Sequence, residues 1–159
     1  SFRPRFQYRL LQVAAAQAPD TIVLQNEMAT LHGKAIYRRL ARTQAAVLFC
    51  VTVGDNYAKK MDGEDARFEA IFIDAVASTM VQATLRRLRE TVQNALDAQA
   101  LKLTPHISPG YPGWDLSEQA KLFALLQPEK VGIRLSAAFY MLPPKSLSGV
   151  FGVVPGRTT

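Results

Sequence analysis

The hydrophobic positions along this chain follow two spacings, which predict helices in some segments and strands in others. The longest helical pattern runs from about residue 64 to 98 without a proline or glycine, and its apolar residues recur every three or four positions. They are Phe68, Phe72, Val76, Met80, Val81, Leu85, Leu88, Val92 and Leu96. We therefore predict one long helix with a single buried stripe, beside which a polar stripe that includes Gln82 faces a cleft or solvent.

Shorter segments also carry helical patterns. Residues 6–16 place apolar side chains at helical spacing. Residues 19–33 begin with proline and aspartate and end with glycine, which are common start and stop signals of a helix. A short helix is predicted over 55–61, followed by an Asp-Gly turn at 62–63, and a longer helix over 116–126.

Continuous and alternating apolar runs predict the strands. Residues 45–53 are apolar and rich in β-branched side chains at their end. Residues 101–107 predict a second strand, in which Pro105 indicates a sheet edge or a strand end because proline lacks a backbone donor. Residues 131–136 and 147–153 are predicted to form a hairpin through a proline-rich turn.

The order of these elements sets the fold class. Helices and strands do not alternate regularly, which excludes a doubly wound parallel sheet. We predict an α+β fold: a twisted, mostly antiparallel sheet packed with helices, one of them long and central. The 159 residues fit a single domain over 1–159 and suffice to bury a core without disulfides.

The composition bears on location and partners. Cys50 is the only cysteine and lies in an apolar run, which indicates a buried thiol in a reducing, cytoplasmic compartment. No apolar run approaches the roughly 20 residues that cross a bilayer, so no membrane association is expected. The net charge of +6 comes from clustered arginines and lysines. Solvated helix faces explain these clusters better than nucleic-acid binding, because no aromatic residues are interleaved with them.

An unusual proline-bracketed loop lies in residues 106–114, which read His-Ile-Ser-Pro-Gly-Tyr-Pro-Gly-Trp. The prolines fix φ, and Gly110 allows a partner to approach the backbone closely. Tyr111 is then held on a stiff loop of the kind that serves a ligand. The alternative is an ordinary connection in which Tyr111 belongs to the core. Packing under the loop is favoured for Trp114 over stacking on a ligand.

Several familiar kinds of catalytic site are excluded. The sequence has neither of the two common glycine-rich phosphate loops and no serine elbow. Two histidines and one cysteine cannot supply a zinc site of familiar spacing. No acidic pair falls in an apolar context. The pattern is typical of a protein that binds and positions a ligand rather than of a self-sufficient enzyme.

Five motifs follow one another in the carboxyl-terminal third of the chain. They are Ser108-Pro-Gly-Tyr-Pro112, Glu118-Gln-Ala-Lys-Leu-Phe123, Leu126-Gln-Pro-Glu-Lys-Val-Gly-Ile133, Phe139-Tyr-Met-Leu-Pro143 and Ser146-Leu-Ser-Gly149. Read together, they resemble the activation domain of cobalamin-dependent methionine synthase, and more its stand-alone relatives than the fused domain. The agreement covers residues 103–152, whereas the first forty residues show no match.

The resemblance implies a function. Such a domain binds S-adenosylmethionine in a shallow groove and reactivates a corrinoid-dependent methyltransferase by reductive methylation of cobalt. It implies a corrinoid-binding methyltransferase module as partner, cobalamin carried by that partner, and a low-potential reductant such as flavodoxin. It also implies ligand contacts at His106, Ser108, Pro109, Gly110, Tyr111, Gln82, Phe151 and Gly152.

Four positions depart from the family pattern. His106 stands in place of an arginine, Gln82 in place of a glutamate, Phe151 near a family tyrosine, and Ala137 in place of a glutamate. An arginine grips a carboxylate with two charged hydrogen bonds, whereas a histidine offers one donor. We therefore expect S-adenosylmethionine binding that is weaker than is usual in the family, or none.

The same departures leave a second function open: a corrinoid-protein docking or chaperone module whose S-adenosylmethionine site is degenerate. Its docking surface would be the basic helices. A basic nucleic-acid binder is a third and less favoured alternative.

Overall fold

The computed structural model describes residues 1–55 and 66–156. The strands are β1 (Arg5–Gln17), β2 (Thr21–Leu24), β3 (Thr30–His32), β4 (Ala45–Thr52), β5 (Leu101–Leu103), β6 (Arg134–Leu135), β7 (Met141–Leu142) and β8 (Ser146–Pro155). The helices are α1 (Lys34–Leu40), α2 (Ala66–Asp97) and α3 (Gln119–Leu126), with short 3₁₀ turns at Gln25–Glu27, Leu116–Glu118 and Pro128–Val131.

The strands form a curled antiparallel sheet in the order β3-β2-β1-β4-β8-β5, and β6 and β7 form a separate two-stranded ribbon. The long helix α2 covers one face of the sheet, while α1 and α3 cover the other. The predicted α+β class with a mostly antiparallel sheet and one long helix is confirmed.

Strand β4 lies inside the sheet, and all eight of its residues are buried. Val47, Phe49 and Val51 face α2, whereas Leu48 and Cys50 face α1 and α3. A strand covered on both faces reads as a continuous apolar run rather than an alternating one. The prediction of a strand over 45–53 is therefore confirmed.

Helix α2 confirms the predicted long helix, but its buried stripe is shorter than predicted. It begins at Ala77 and ends at Leu96, where the helix packs on the sheet. The predicted members Phe68 and Phe72 are 81% and 65% exposed, and the first three turns of the helix contain no buried residue. The helix contains an 18-residue window of mean hydropathy 1.3, long and apolar enough by composition to cross a membrane; core helices of soluble proteins also meet this criterion.

The two helices predicted before residue 33 are wrong. Residues 6–16 lie in β1, which pairs with β4 from Arg5 to Gln12, and residues 19–33 form β2, a 3₁₀ turn and β3. Leucine, alanine and glutamine favour a helix locally, but pairing with a fully buried strand outweighs that preference. The true helix of this region, α1, starts where Gly33 was expected to end one.

The predicted carboxyl-terminal hairpin is also wrong in its pairing. Strand β8 pairs with β4 and β5, while β6 pairs with β7 across a tight turn over 136–140. The predicted strand over 101–107 is shorter, since β5 ends at Leu103 and only an isolated bridge joins Ile107 to β8. β5 is an edge strand, as Pro105 indicated. The predicted helix over 55–61 and the turn at 62–63 lie outside the described residues, apart from Asp55.

Candidate functional site

The loop over 106–114 folds into a compact turn closed by its own backbone. The amide of Gly110 donates to the carbonyl of Trp114 at 2.8 Å, and the amide of Trp114 donates back to the carbonyl of Tyr111 at 2.9 Å. Gly110 has φ +95°, a backbone conformation that residues other than glycine rarely adopt. Pro109 is buried, whereas Tyr111 is 45% exposed, so this turn holds the tyrosine ring at the surface.

Trp114 and Glu118 anchor the turn to α1 and β3. Trp114 is 1% exposed, and its indole Nε1 donates to Glu118 Oε2 at 3.4 Å. The same carboxylate oxygen accepts from the backbone amide of His32 at 2.8 Å, and Lys121 pairs with the other oxygen at 2.6 Å. Trp114 therefore packs under the loop, as predicted.

Gly33 and Gly113 bring α1 against this turn. The amide of Ala35 donates to the carbonyl of Gly113 at 3.1 Å. A Cβ placed on Gly33 would lie 2.6 Å from that same carbonyl oxygen. Position 33 requires glycine because the backbone there packs directly against the carbonyl oxygen of Gly113 and leaves no space for a side chain.

A groove of about 440 Å³ opens beside the turn, between α3, the β6–β7 ribbon and the start of β8. Its walls are apolar and aromatic side chains, and its floor carries the polar side chains of Ser108, Gln119 and Ser148. The lining residues are Ser108, Pro109, Tyr111, Leu116, Gln119, Phe139, Tyr140, Met141, Leu142, Pro144, Leu147 and Ser148. This volume and mixture of walls are typical of a small-molecule site.

The polar floor of the groove is incompletely hydrogen-bonded. Ser148 donates its hydroxyl to Gln119 Oε1, and Gln119 Nε2 donates to the carbonyl of Phe139 at 3.4 Å. The hydroxyl of Ser108, 5% exposed, has no hydrogen-bond partner in the described part of the chain. A buried hydroxyl without a partner costs about 1–3 kcal/mol. A ligand with a polar edge in the groove would remove this cost.

His106 lies in an aromatic cluster next to the tyrosine. Its ring contacts Phe49 and Phe151 edge-on, with centroids 5.7 and 5.9 Å away, and its Nε2 is 3.4 Å from the Tyr111 hydroxyl. Burial, together with the nearby charges of Arg39 and Arg89, lowers the pKa of His106 below its usual range. His106 is therefore a neutral hydrogen-bonding group at neutral pH.

Comparison with known proteins identifies the family of this chain. Residues 37–157 match the model of the family described as vitamin B12 dependent methionine synthase, activation domain. The chain belongs to this family. No curated protein matches the chain.

Among solved structures, the MetH reactivation domain bound to AdoHcy matches with a TM-score of 0.72 and 19% sequence identity. The match covers 99% of this chain and 61% of that one, so this chain spans about three fifths of the length of its neighbour. The shared fold includes the amino-terminal strands, which the family model leaves unmatched.

Of the eight contact positions that the family resemblance implied, five lie together in this activation domain. Ser108, Pro109 and Tyr111 line the groove, Gly110 shapes the turn, and His106 contacts the Tyr111 hydroxyl. These five come from one short stretch of chain, which is why a local motif could indicate them.

The other three positions do not line the groove, although Phe151 contacts His106. Phe151 is 1% exposed, stacked on Phe49 at 4.8 Å and covered by the guanidinium of Arg89, 5.2 Å from its ring centroid. Gly152 is buried, and a Cβ there would lie 2.7 Å from a methyl carbon of Thr43. Gln82 is exposed on α2 and does not line the groove.

Sequence reasoning missed the groove residues supplied by α3 and the β6–β7 ribbon. Gln119, Phe139 and Tyr140 line the groove and lie within motifs that the resemblance used. Gln119 is 2% exposed at the start of α3, but this burial is a property of the folded chain and left no signal in the sequence. The sequence-based hairpin also paired the wrong strands, so the β6–β7 ribbon was not predicted.

Acid should destabilise the activation domain through His106. The unfolded imidazole binds a proton near pH 6.5, while the folded one binds it only at lower pH because of burial and the two arginines. The contribution of His106 to the free energy of unfolding is thus complete above pH 6.5 and is lost as the pH falls through the folded pKa. Denaturant unfolding at pH 7.5 and 5.5 should show a smaller loss on acidification in His106→Gln than in the wild type. His32→Gln serves as the control, and an equal loss in all three proteins would contradict the prediction.

Proposed function

We propose that this activation domain holds S-adenosylmethionine in the groove beside Tyr111 and presents its methyl group to a corrinoid-binding methyltransferase of the methionine synthase type. The observation that carries the proposal is the buried, unpartnered hydroxyl of Ser108 at the floor of an apolar groove, next to an exposed aromatic ring. Family membership supports it, as does the AdoHcy named in the structure of the similar reactivation domain.

The proposed reaction divides the chemistry between the two proteins. The partner would carry cobalamin, and flavodoxin or another low-potential reductant would supply one electron to its cobalt. The bound cobalamin would supply a nucleophile for the methyl group, so that the S–CH₃ bond is exchanged for a Co–CH₃ bond and S-adenosylhomocysteine is left. The residues of this chain bind S-adenosylmethionine in the groove and orient its methyl group toward the partner.

The groove fits the adenosyl group of S-adenosylmethionine better than its amino-acid end. Tyr111, Phe139 and Tyr140 provide flat apolar surfaces for the adenosyl group, and Ser108 and Gln119 provide hydrogen bonds for its polar edge. The described residues that line the groove include no charged side chain for the amino-acid end of the ligand. His106, which stands where the family has arginine, is neutral. We therefore expect weak binding, and sub-micromolar, pH-independent affinity would contradict this expectation.

Replacing Tyr111 with alanine should weaken S-adenosylmethionine binding by about tenfold or more, since stacking of a base on an aromatic ring contributes about 1–3 kcal/mol. Isothermal titration calorimetry measures the change. Tyr8→Ala is the matched control, because Tyr8 is similarly exposed, at 42%, but lies on β1 away from the groove. Equal affinities of the two variants would contradict the placement of the ligand.

The functional test uses methyl-labelled S-adenosylmethionine, an oxidised corrinoid methyltransferase and a reductant. Label on cobalt that requires this protein, and that falls in Tyr111→Ala, is the expected result. No label on cobalt in the presence of the wild-type protein would overturn the proposed activity.

The described residues that line the groove carry no charged side chain, which favours a second candidate function: a corrinoid-protein docking or chaperone module with a degenerate ligand site. Under this function, a corrinoid protein would be retained by the immobilised chain without S-adenosylmethionine, and calorimetry would show no ligand binding. Retention that depends on S-adenosylmethionine would instead favour the first proposal.

We also infer a cytoplasmic location and one domain over 1–159. Family membership supports the location, and so does Cys50, whose burial raises its thiol pKa to about 12 and keeps it unreactive.

A further inference from the structure

A second cleft, of about 890 Å³, lies at the far edge of the sheet. It is bounded by the edge strand β5, the carboxyl-terminal half of α2 and the side of α1 that bears Arg39. Its charged lining residues are Arg39, Arg89, Lys102 and Asp97. None of the residues that line this cleft lines the groove beside Tyr111.

The two arginines are held differently, and neither is neutralised. Arg89 is fixed, because it donates to the carbonyls of Thr104 and Leu103 at 2.9 and 3.0 Å. Two of its five N–H donors are used in this way, and the others stay available. Arg39 is half-buried and makes no hydrogen bond or ion pair with any residue of the described ranges 1–55 and 66–156.

The acidic side chain of the cleft is already occupied. Asp97 accepts a hydrogen bond from Gln93 Nε2 at 2.8 Å, and Gln93 in turn bonds the backbone of β5. The ion pairs of the described residues join Lys121 to Glu118 and Lys145 to Asp74, and both lie outside the cleft. With three basic side chains and one acidic side chain, the described lining of the cleft carries an excess of positive charge.

Arg39 and Arg89 line the same cleft, close to His106. The guanidinium of Arg89 lies 5.2 Å from the centroid of the Phe151 ring, which His106 contacts edge-on, and the Tyr111 hydroxyl lies 3.4 Å from His106 Nε2. The charges of both arginines lower the pKa of His106. An anion between them would be attracted by both.

We propose that this cleft binds the phosphate group of a small molecule, with Arg39 as the principal ligand and Arg89 as a fixed second donor. A guanidinium presents planar, paired N–H donors that match phosphate oxygens. The remaining volume, on the side of Leu101 and Pro155, accommodates an organic part of the molecule. The site is separate from the S-adenosylmethionine groove and does not rest on the proposed function.

Calorimetry with inorganic pyrophosphate at constant ionic strength tests the assignment. Saturable binding is expected in the wild type and in Arg38→Gln, an exposed neighbour on α1, with at least a tenfold loss in Arg39→Gln. Equal affinity in Arg38→Gln and Arg39→Gln, or the absence of saturable binding, would overturn the site. Citrate serves as the carboxylate arm: citrate binding as tight as that of pyrophosphate, with the same variant pattern, would overturn the assignment to phosphate.

An NMR titration of His106 tests for anion binding in the cleft without measuring affinity. Saturating pyrophosphate should move the NMR titration midpoint of the His106 imidazole to higher pH, since a bound anion offsets the two guanidinium charges. Arg39→Gln should abolish this movement, and Arg38→Gln should keep it. A movement of equal size in Arg39→Gln would show general ionic screening and overturn the proposal.

Discussion

Replacing Trp114 with alanine is expected to lower the free energy of unfolding by about 3–5 kcal/mol, the usual cost of removing a large buried aromatic side chain. Trp114 is 1% exposed and lies among the residues that join α1, α3 and the sheet. Its removal would leave a cavity there and would take away the indole that bonds Glu118. Denaturant unfolding followed by far-ultraviolet circular dichroism measures the change, because the variant lacks the only tryptophan.

Two further variants separate packing from hydrogen bonding at this position. Trp114→Phe keeps most of the apolar volume but loses the indole donor, so it should cost less than alanine. Tyr140→Ala removes an aromatic side chain that is 65% exposed and should cost little. A loss below about 1 kcal/mol in Trp114→Ala would contradict the role of Trp114 as the anchor of the turn.

Replacing Gly149 with alanine is expected to lower the free energy of unfolding by about 3 kcal/mol and to weaken ligand binding in the groove. A Cβ at Gly149 would lie 2.6 Å from the carbonyl oxygen of Ile107, 2.9 Å from the Phe49 ring and 3.0 Å from the Ser108 hydroxyl. The chain at Ile107 must then move away from β8. That movement breaks its two hydrogen bonds with Val150, at 2.9 and 3.0 Å, and displaces Ser108 from the floor.

Gly132→Ala is the control for this substitution. Gly132 has φ +79° and no atom within 4 Å of an added Cβ, so its replacement measures backbone strain without a clash. That strain costs about 1–2 kcal/mol, and ligand affinity should not change. Unfolding and calorimetry on both variants decide the matter: if Gly149→Ala matches Gly132→Ala in both measurements, the close approach of Ile107 to β8 does not control the groove.

The turn over 106–114 shows how much of the site a local sequence motif can predict. Proline and glycine restrict the backbone of their own residues, so the sequence could indicate a rigid turn with Tyr111 at its tip. The structure confirms the exposed ring and places a groove beside it. Gln119, Phe139 and Ser148 complete that groove from three other segments of the chain. No spacing within one segment could show that these segments meet.

Strand β1 shows the opposite case, in which a local pattern misleads. Its apolar residues fit a helix, yet Leu10 is 46% exposed and Leu11 is 1% exposed, as alternation along a strand requires. What decides its conformation is hydrogen bonding to β4, more than thirty residues away. The same holds for β8: a strand was correctly predicted over residues 147–153, but its partner strands are β4 and β5 rather than the predicted one.

The sequence alone therefore established those features that depend on neighbours along the chain: the long helix α2, the buried strand β4, the proline-bracketed turn, and the family to which its motifs belong. The tertiary structure decided strand pairing, the composition of the groove and the neutral state of His106. The physical reason is the range of the interactions. Backbone restriction and side-chain periodicity act over a few residues, whereas sheet hydrogen bonds, burial and the fields of Arg39 and Arg89 act between segments that only the folded chain brings together.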